Sequence, residues 1–325
     1  MQSVTHPHPR SVRFAERAQG HDVIENILVV VDPTAGSHPS IEKAARLASA
    51  FGSSIELYIC DVEQGVPESW AAGSTLAQYR GFMRERRIQM LEELAAPLRA
   101  LGLHVNTASE WHFPLERGVV EHAIRARADL VVKDTHRHAP GSHMPLVQTD
   151  WALLRQLPMP LLLVRRGTWG AHPVVAASVD PCHAAERPVE LDLALLGVGS
   201  SISRALSGRL TLLHALRPVA HLQGDPVPAA EQKADYDRQR ARVATLARDA
   251  HVAPCESVFT ERDAPDGIVE LTQEVRPDVL VIGVAARQRL QVGAVSTASQ
   301  VLERTDCDLL AVKPAGFVSP VLVAG

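Results

Sequence analysis

At 325 residues the chain is longer than one compact hydrophobic core usually serves, which points to two domains. Its 46% apolar and 22% charged residues fit a soluble globular protein, and a net charge of -4 excludes a broad electrostatic grip on nucleic acid. No apolar run approaches the roughly 20 residues that a membrane helix needs, so no membrane partner is expected.

Residues 1–23 lack the apolar core of a secretion signal and read as a flexible arm. The run 27–31 (ILVVV) reads as a buried strand that stops at Asp32-Pro33. Ile41, Ala44, Ala45 and Ala48 then fall at the i, i+3, i+4, i+7 spacing of a helix. A second strand is expected at 55–60, followed by a long helix over about 75–100. That helix carries Leu76, Tyr79, Met83, Met90, Leu94 and Leu101 along one face, and Pro97 should bend or end it early. A strand at 103–111, a helix at 115–127 with Val120, Ala123 and Ile124, and a strand at 130–133 come next. A short helix at 150–157 and a strand at 161–165 close the series.

The series then repeats. Strands are expected at 174–179, 210–216, 252–260, 279–283 and 309–313, with helices between them. The first of these helices carries Leu191, Ala194, Leu195, Val198 and Ile202 on one face. Gly197 and Gly199 within it each cost about 1 kcal/mol relative to Ala, a cost that close packing against a strand would explain. Asp32-Pro33 and Asp180-Pro181 stand 148 positions apart, DLVV at 129–132 and DVLV at 278–281 stand 149 apart, and LLLVRR and LLAVKP stand 148 apart. Three matches in order mark a tandem duplication. Strands that alternate with helices and read as continuous apolar runs form parallel sheets covered on both faces. The fold class is therefore α/β, with two tandem, doubly wound, five-stranded parallel-sheet domains of Rossmann-like type. They span 24–166 and 174–315, with a linker at 167–173 and a tail at 316–325.

In such sheets ligands sit beyond the carboxyl ends of the strands, where the strand order reverses. Asp32 and Asp180 stand there in the two copies, able to accept hydrogen bonds from a ribose or an amine. The plainer reading is that each Asp-Pro stops its strand and caps the next turn.

The order of elements, the strand-one aspartate, the run DLVVKDTHRH (129–138) and the run TDWALLRQLPMPLLLV (149–164) together resemble the universal stress protein family in its tandem-domain form. The resemblance covers about residues 24–315 and implies an adenine nucleotide alpha hydrolase-like fold. The nucleotide-binding branch of that family carries G-x2-G-x9-G-[S/T] after strand four, where glycines let backbone N–H groups approach phosphates. Against that pattern the second copy places Gly283, Ala286, Ser296 and Thr297, whereas the first places Asp134, Arg137 and Val147. The resemblance thus implies that the first copy has lost family-type nucleotide binding. Weak binding of ATP or AMP is then left to the second copy, with no cofactor required. It also implies pairing through the last strands, here 161–165 and 309–313, as a pseudo-dimer within the chain. The expected role is regulatory or protective during stress, in the cytoplasm, through contacts with other proteins or with itself.

Other readings stand beside it. His136, His138 and His143 form an H-x-H-x4-H cluster, near Asp134, that offers imidazole nitrogens to zinc; solvated loop histidines are the plain alternative. Trp70, Met83 and Met90 would suit either a crevice for an apolar ligand or simple core packing. Arg80, Arg84, Arg86 and Arg87 are interrupted by Glu85 and followed by Glu92 and Glu93, and read as a solvated face with i, i+4 pairs. Cys60, Cys182, Cys255 and Cys307 show no close pairing and read as small apolar fillers of a reducing compartment. Without a GxxxxGK[ST] loop, a GxGxxG turn or a kinase motif set, catalysis is not expected, and a slow ATPase is the weaker alternative.

Overall fold

The computed structural model describes residues 24–61, 76–135, 148–165, 167–182, 189–217, 227–252, 254–284 and 297–323. The chain divides into two compact units. The first domain comprises Val23–Trp169 together with Ser319–Gly325, and the second comprises Gly170–Val318.

In the first domain the strands are β1 (Asn26–Val30), β2 (Ser54–Asp61), β3 (Val105–Trp111), β4 (Leu130–Asp134) and β5 (Leu161–Val164). They lie in the order β3-β2-β1-β4-β5, and their pairings are parallel. Ile27 of β1 stands opposite Ile55 on one side and Leu130 on the other. The helices are α1 (Pro39–Phe51), α2 (Leu76–Ala100), α3 (Leu115–Arg125) and α4 (Gln148–Gln156). Pro39 starts α1, where its missing N–H costs nothing, and Gly52 ends it in the left-handed region at φ 72°. The core is made of the continuous apolar runs: Ile27, Leu28, Val29, Leu130, Val131, Val132 and Leu161 to Val164 are all buried.

The second domain repeats the plan with β6 (Val174–Ser178), β7 (Arg209–Ala215), β8 (Glu256–Thr260), β9 (Val279–Gly283) and β10 (Asp308–Val312). Their order is β10-β9-β6-β7-β8, again with parallel pairs. Its helices are α5 (Val189–Ala205), α6 (Ala229–Asp249), α7 (Asp266–Val275) and α8 (Thr297–Arg304). A last short helix, α9 (Pro320–Val323), groups with the first domain, where it packs on α3. A methyl group at Gly199 would touch Leu210 and Val281 at 3.4 Å and Val175 at 3.7 Å, so α5 does lie close on three strands.

The duplication extends to details of packing. Asp129 Oδ2 accepts the backbone N–H groups of Glu25 and Asn26, each at 3.0 Å, and Asp278 likewise accepts those of Gly170 and Val174. The matched aspartates thus fasten the chain entering β1 and β6. Gly118 and Gly267 form a second matched pair, within GVVE (118–121) and GIVE (267–270). An added methyl would lie 2.4 Å from His112 Cβ at Gly118 and 2.6 Å from Thr260 Cγ2 at Gly267. Glycine is what lets α3 and α7 start that close to the strand before them.

Four expectations need correction. Helix α2 runs through Pro97 to Ala100. Pro97 is exposed and lies in the last turn, where a carbonyl that loses its N–H partner can turn to water. The buried stripe of α2 is Leu91, Ala95 and Leu98, and no residue before Leu91 is buried. Leu76 and Leu101 are 38% and 77% exposed and Tyr79, Met83, Met90 and Leu94 are half-buried, so the buried stripe lies beside the expected face and not on it. Arg80, Arg84 and Arg86 of α2 are exposed, as a solvated face requires, but Arg87 is half-buried and pairs across to a strand instead of along the helix. Arg87 grips Asp61 at the end of β2 through two hydrogen bonds of 2.8 and 3.3 Å, while Arg80 lies over the Trp111 ring and Arg86 over the Phe82 ring. Finally, strand β8 begins only at Glu256.

Candidate functional site

In each domain the strand order reverses at one place: between β1 and β4 in the first, and between β6 and β9 in the second. The crevice beyond the carboxyl ends of those two strands is where a ligand would sit. Asp32 follows β1 and Asp134 ends β4; Asp180 follows β6 and Gly283 ends β9.

In the first crevice both aspartates are engaged by the protein's own groups. Asp32 Oδ1 accepts the N–H of Thr34 at 2.8 Å and its hydroxyl at 2.7 Å, which folds the chain into a turn directly after the strand. The plainer of the two readings of Asp32 therefore describes its geometry. Asp134 is 4% exposed. Its Oδ1 accepts the Ser40 N–H at 2.8 Å and its Oδ2 accepts the Ser40 hydroxyl at 2.6 Å. Ser40 is the second residue of α1, whose preceding residue, His38, makes no side-chain cap. Asp134 thus caps α1 from the neighbouring strand, and places a carboxylate where a helix N-terminus favours an anion.

The residues flanking Asp134 reinforce that arrangement. Lys133 Nζ stands 2.8 Å from Asp150 Oδ1 and donates to the Asp134 carbonyl at 2.9 Å. The Thr135 hydroxyl donates to Asp150 Oδ2 at 2.6 Å, and the Asp150 side chain is fully buried. The Lys, Thr and Thr-Asp-Trp run of the sequence is therefore a buried latch between β4 and α4.

The second crevice is built differently. Gly283 ends β9 with no side chain, so nothing equivalent to Asp134 reaches the first helix. Here a carboxylate comes from the helix instead: Asp192, 1% exposed on α5, accepts the Asp180 N–H at 3.2 and 3.3 Å. The Asp180 side chain is 22% exposed, with Oδ2 at 3.8 Å from an Arg217 guanidinium nitrogen. Arg217 follows β7 and is half-exposed; its own N–H is held by Gln239 Oε1 at 3.1 Å. Behind Asp180, the buried His214 shares a 2.9 Å hydrogen bond between its Nδ1 and the Val179 carbonyl, and packs edge-on to Phe259. Thr297, exposed, opens α8.

Gly283 and Thr297 thus flank the expected phosphate loop, whereas Ala286 and Ser296 lie outside the described residues. So do His136, His138 and His143, as well as Trp70. Among the described residues no group of three or more His, Cys, Asp or Glu is placed to hold a metal ion. The four cysteines are free, and burial pushes the Cys60 thiol up to about 11. Arg217, Asp192 and Ser40 were missed by the sequence reading. Ser40 and Arg217 lie far in sequence from the aspartates they meet, and Asp192, only 12 positions from Asp180, sits in a helix that no short motif marks.

The comparisons agree with this geometry. The model of the universal stress protein family matches residues 24–165 and again 188–313. The chain is 23% identical over 316 residues to universal stress protein E of Photorhabdus laumondii, covering 92% of this chain and 98% of that one. Against universal stress protein E of Escherichia coli K12 it is 24% identical over 314 residues, covering 91% and 96%. Among solved structures, a functionally unknown protein from Pseudomonas aeruginosa superposes with a TM-score of 0.71 at 22% identity, covering 92% and 95%. A universal stress protein from Archaeoglobus fulgidus does so with a TM-score of 0.65 at 14% identity, covering 89% and 98%. With the fold present twice and the family model matched in both copies, the chain belongs to the universal stress protein family, in its tandem-domain form.

Proposed function

We propose that the protein is a stress-response binding protein of the cytoplasm in which only the second domain takes adenine nucleotide, weakly, while the first serves as scaffold. The observation that carries the reading is the difference between Asp134 and Gly283. One crevice holds a buried carboxylate already bonded to a helix N-terminus, and the other has no side chain at that strand end. A phosphate entering the first would meet like charge. In the second, Asp180 offers a partly exposed carboxylate for a ribose or an amine, and Arg217 beside it offers a guanidinium for a phosphate.

Weak affinity follows from the same contacts. Asp180 faces Arg217 before any ligand arrives, and a ribose hydroxyl must compete with that pair. The role is regulatory or protective, through ligand-dependent contacts with other proteins and not through turnover. Among the described residues no helix is long and apolar enough to cross a membrane, in keeping with a cytoplasmic setting.

Thermal unfolding of the full chain with and without ATP or AMP tests the reading. Nucleotide should raise the unfolding temperature, and Asp180→Ala should remove the increase. A protein indifferent to millimolar nucleotide, or an increase that survives Asp180→Ala, would contradict it.

A further inference from the structure

The first domain carries a second polar site at the opposite end of its sheet. A cleft of about 260 Å³ opens at the amino ends of β1, β2 and β3, against the last turn of α3. Asn26, Ser54, Glu56, Asn106, His122 and Arg125 supply its polar lining. His122 is only 5% exposed, and stacks on the buried Tyr58 ring with centroids 3.9 Å apart.

The contacts around His122 fix its proton. An Arg125 guanidinium nitrogen lies 2.9 Å from His122 Nδ1, closer than Glu110 Oε1 at 3.4 Å. A guanidinium can only donate, so Nδ1 accepts and the ring carries its hydrogen on Nε2. That Nε2 stands 3.2 Å from Glu56 Oε2, yet among the described residues it makes no hydrogen bond. A buried donor left in that state costs free energy that a ligand oxygen would recover.

The charges of the lining are unevenly matched. Arg125 is neutralised by Glu110, whose two carboxylate oxygens lie 2.5 and 2.7 Å from one guanidinium nitrogen. Asn26 and Ser54 bond to each other, Ser54 Oγ donating to Asn26 Oδ1 at 2.8 Å. Among the described residues Glu56 carries no Lys or Arg partner, and its side chain, 27% exposed, lines the cleft 3.2 Å from His122 Nε2. The carbonyl end of α3, next to Ala126, adds negative potential on the same side.

The geometry points to a binding site for a small hydroxylated primary amine: its ammonium on Glu56, its hydroxyl oxygen on His122 Nε2–H. Phosphates and carboxylates are disfavoured there, because Glu56 and the helix end repel them. The site is separate from the nucleotide crevice, which lies beyond the other ends of the strands and in the other domain.

Serinol (2-amino-1,3-propanediol) serves as the probe, with 1,3-propanediol and inorganic phosphate as controls, each titrated into the full chain by NMR. Saturable shifts of the His122 ring with serinol alone are expected, weakened about tenfold or more by Glu56→Gln. Asn106→Leu, at the exposed rim, should also block entry, and it gives a second reading if the Glu56 variant folds poorly. Absence of saturable binding at millimolar serinol would overturn the assignment. So would equal binding of propanediol, or serinol binding unchanged in both variants.

Discussion

The carboxyl ends of the strands in the two domains use their carboxylates in opposite ways. In the first domain a carboxylate leaves the strand and caps the helix: Asp134 reaches Ser40. In the second a carboxylate leaves the helix and holds the strand end: Asp192 reaches the Asp180 N–H. The scaffold is the same in both, and even Asp129 and Asp278 fasten the strand entries alike. The difference shows how duplication separates two demands. A helix N-terminus must be satisfied, either by the chain or by a ligand, and one copy has taken the internal solution.

Substitutions that break the comparison range from large to small. Asp150→Ala should be the most damaging, since it leaves Lys133 partly buried without its partner. A loss of about 3–5 kcal/mol is expected in denaturant unfolding, with no equivalent in the second domain. Asp134→Ala should cost about 1–3 kcal/mol by stranding the Ser40 N–H and hydroxyl. Asp134→Gly should sharpen the comparison further, because it makes the first strand end like the second. Inorganic phosphate should then raise the unfolding temperature of that variant more than that of the parent. An equal response in both would mean that the carboxylate does not exclude anions.

Matched glycines offer a control in which the two domains should behave alike. Gly118→Ala and Gly267→Ala should each cost about 1–3 kcal/mol by overpacking. Gly199→Ala should be close to neutral, because its contacts at 3.4 Å are tight but tolerable and alanine favours the helix.

The smallest expected effect is electrostatic. The Arg99 guanidinium, with help from the Thr107 hydroxyl, lowers the Glu92 carboxyl from 4.5 to about 2. Because the folded value is depressed, the contribution is present above about pH 4.5 and fades as pH falls toward 2. Glu92 is a surface group, so the effect is small. Glu92→Gln should be slightly less stable than the parent near neutral pH and indistinguishable from it in strong acid.

Much of the fold was legible in the residues. Buried parallel strands must read as unbroken apolar runs, and the offsets between Asp32 and Asp180 and between DLVV and DVLV placed two copies in register. At Asp32 the residues left a ligand contact and a turn both open, and the hydrogen bonds to Thr34 show the turn. The rest of the site was not legible. Asp134 meets Ser40 across 94 positions, and Arg217 reaches Asp180 from another strand, so only the sheet order brings them together. The α2 face was misjudged for a related reason. Periodicity finds an apolar stripe, but it does not tell which turns of a long helix have a sheet beneath them. His122 was passed over because a lone histidine on a helix carries no motif, and its partners Glu56 and Glu110 come from two strands.

The central claim is that one domain binds nucleotide and the other does not. Calorimetric titration of the full chain with ATP, in the parent, Asp32→Ala and Asp180→Ala proteins, tests it most directly. One equivalent per chain, kept in Asp32→Ala and lost in Asp180→Ala, is the predicted result. Two equivalents, or binding lost in Asp32→Ala and kept in Asp180→Ala, would contradict it.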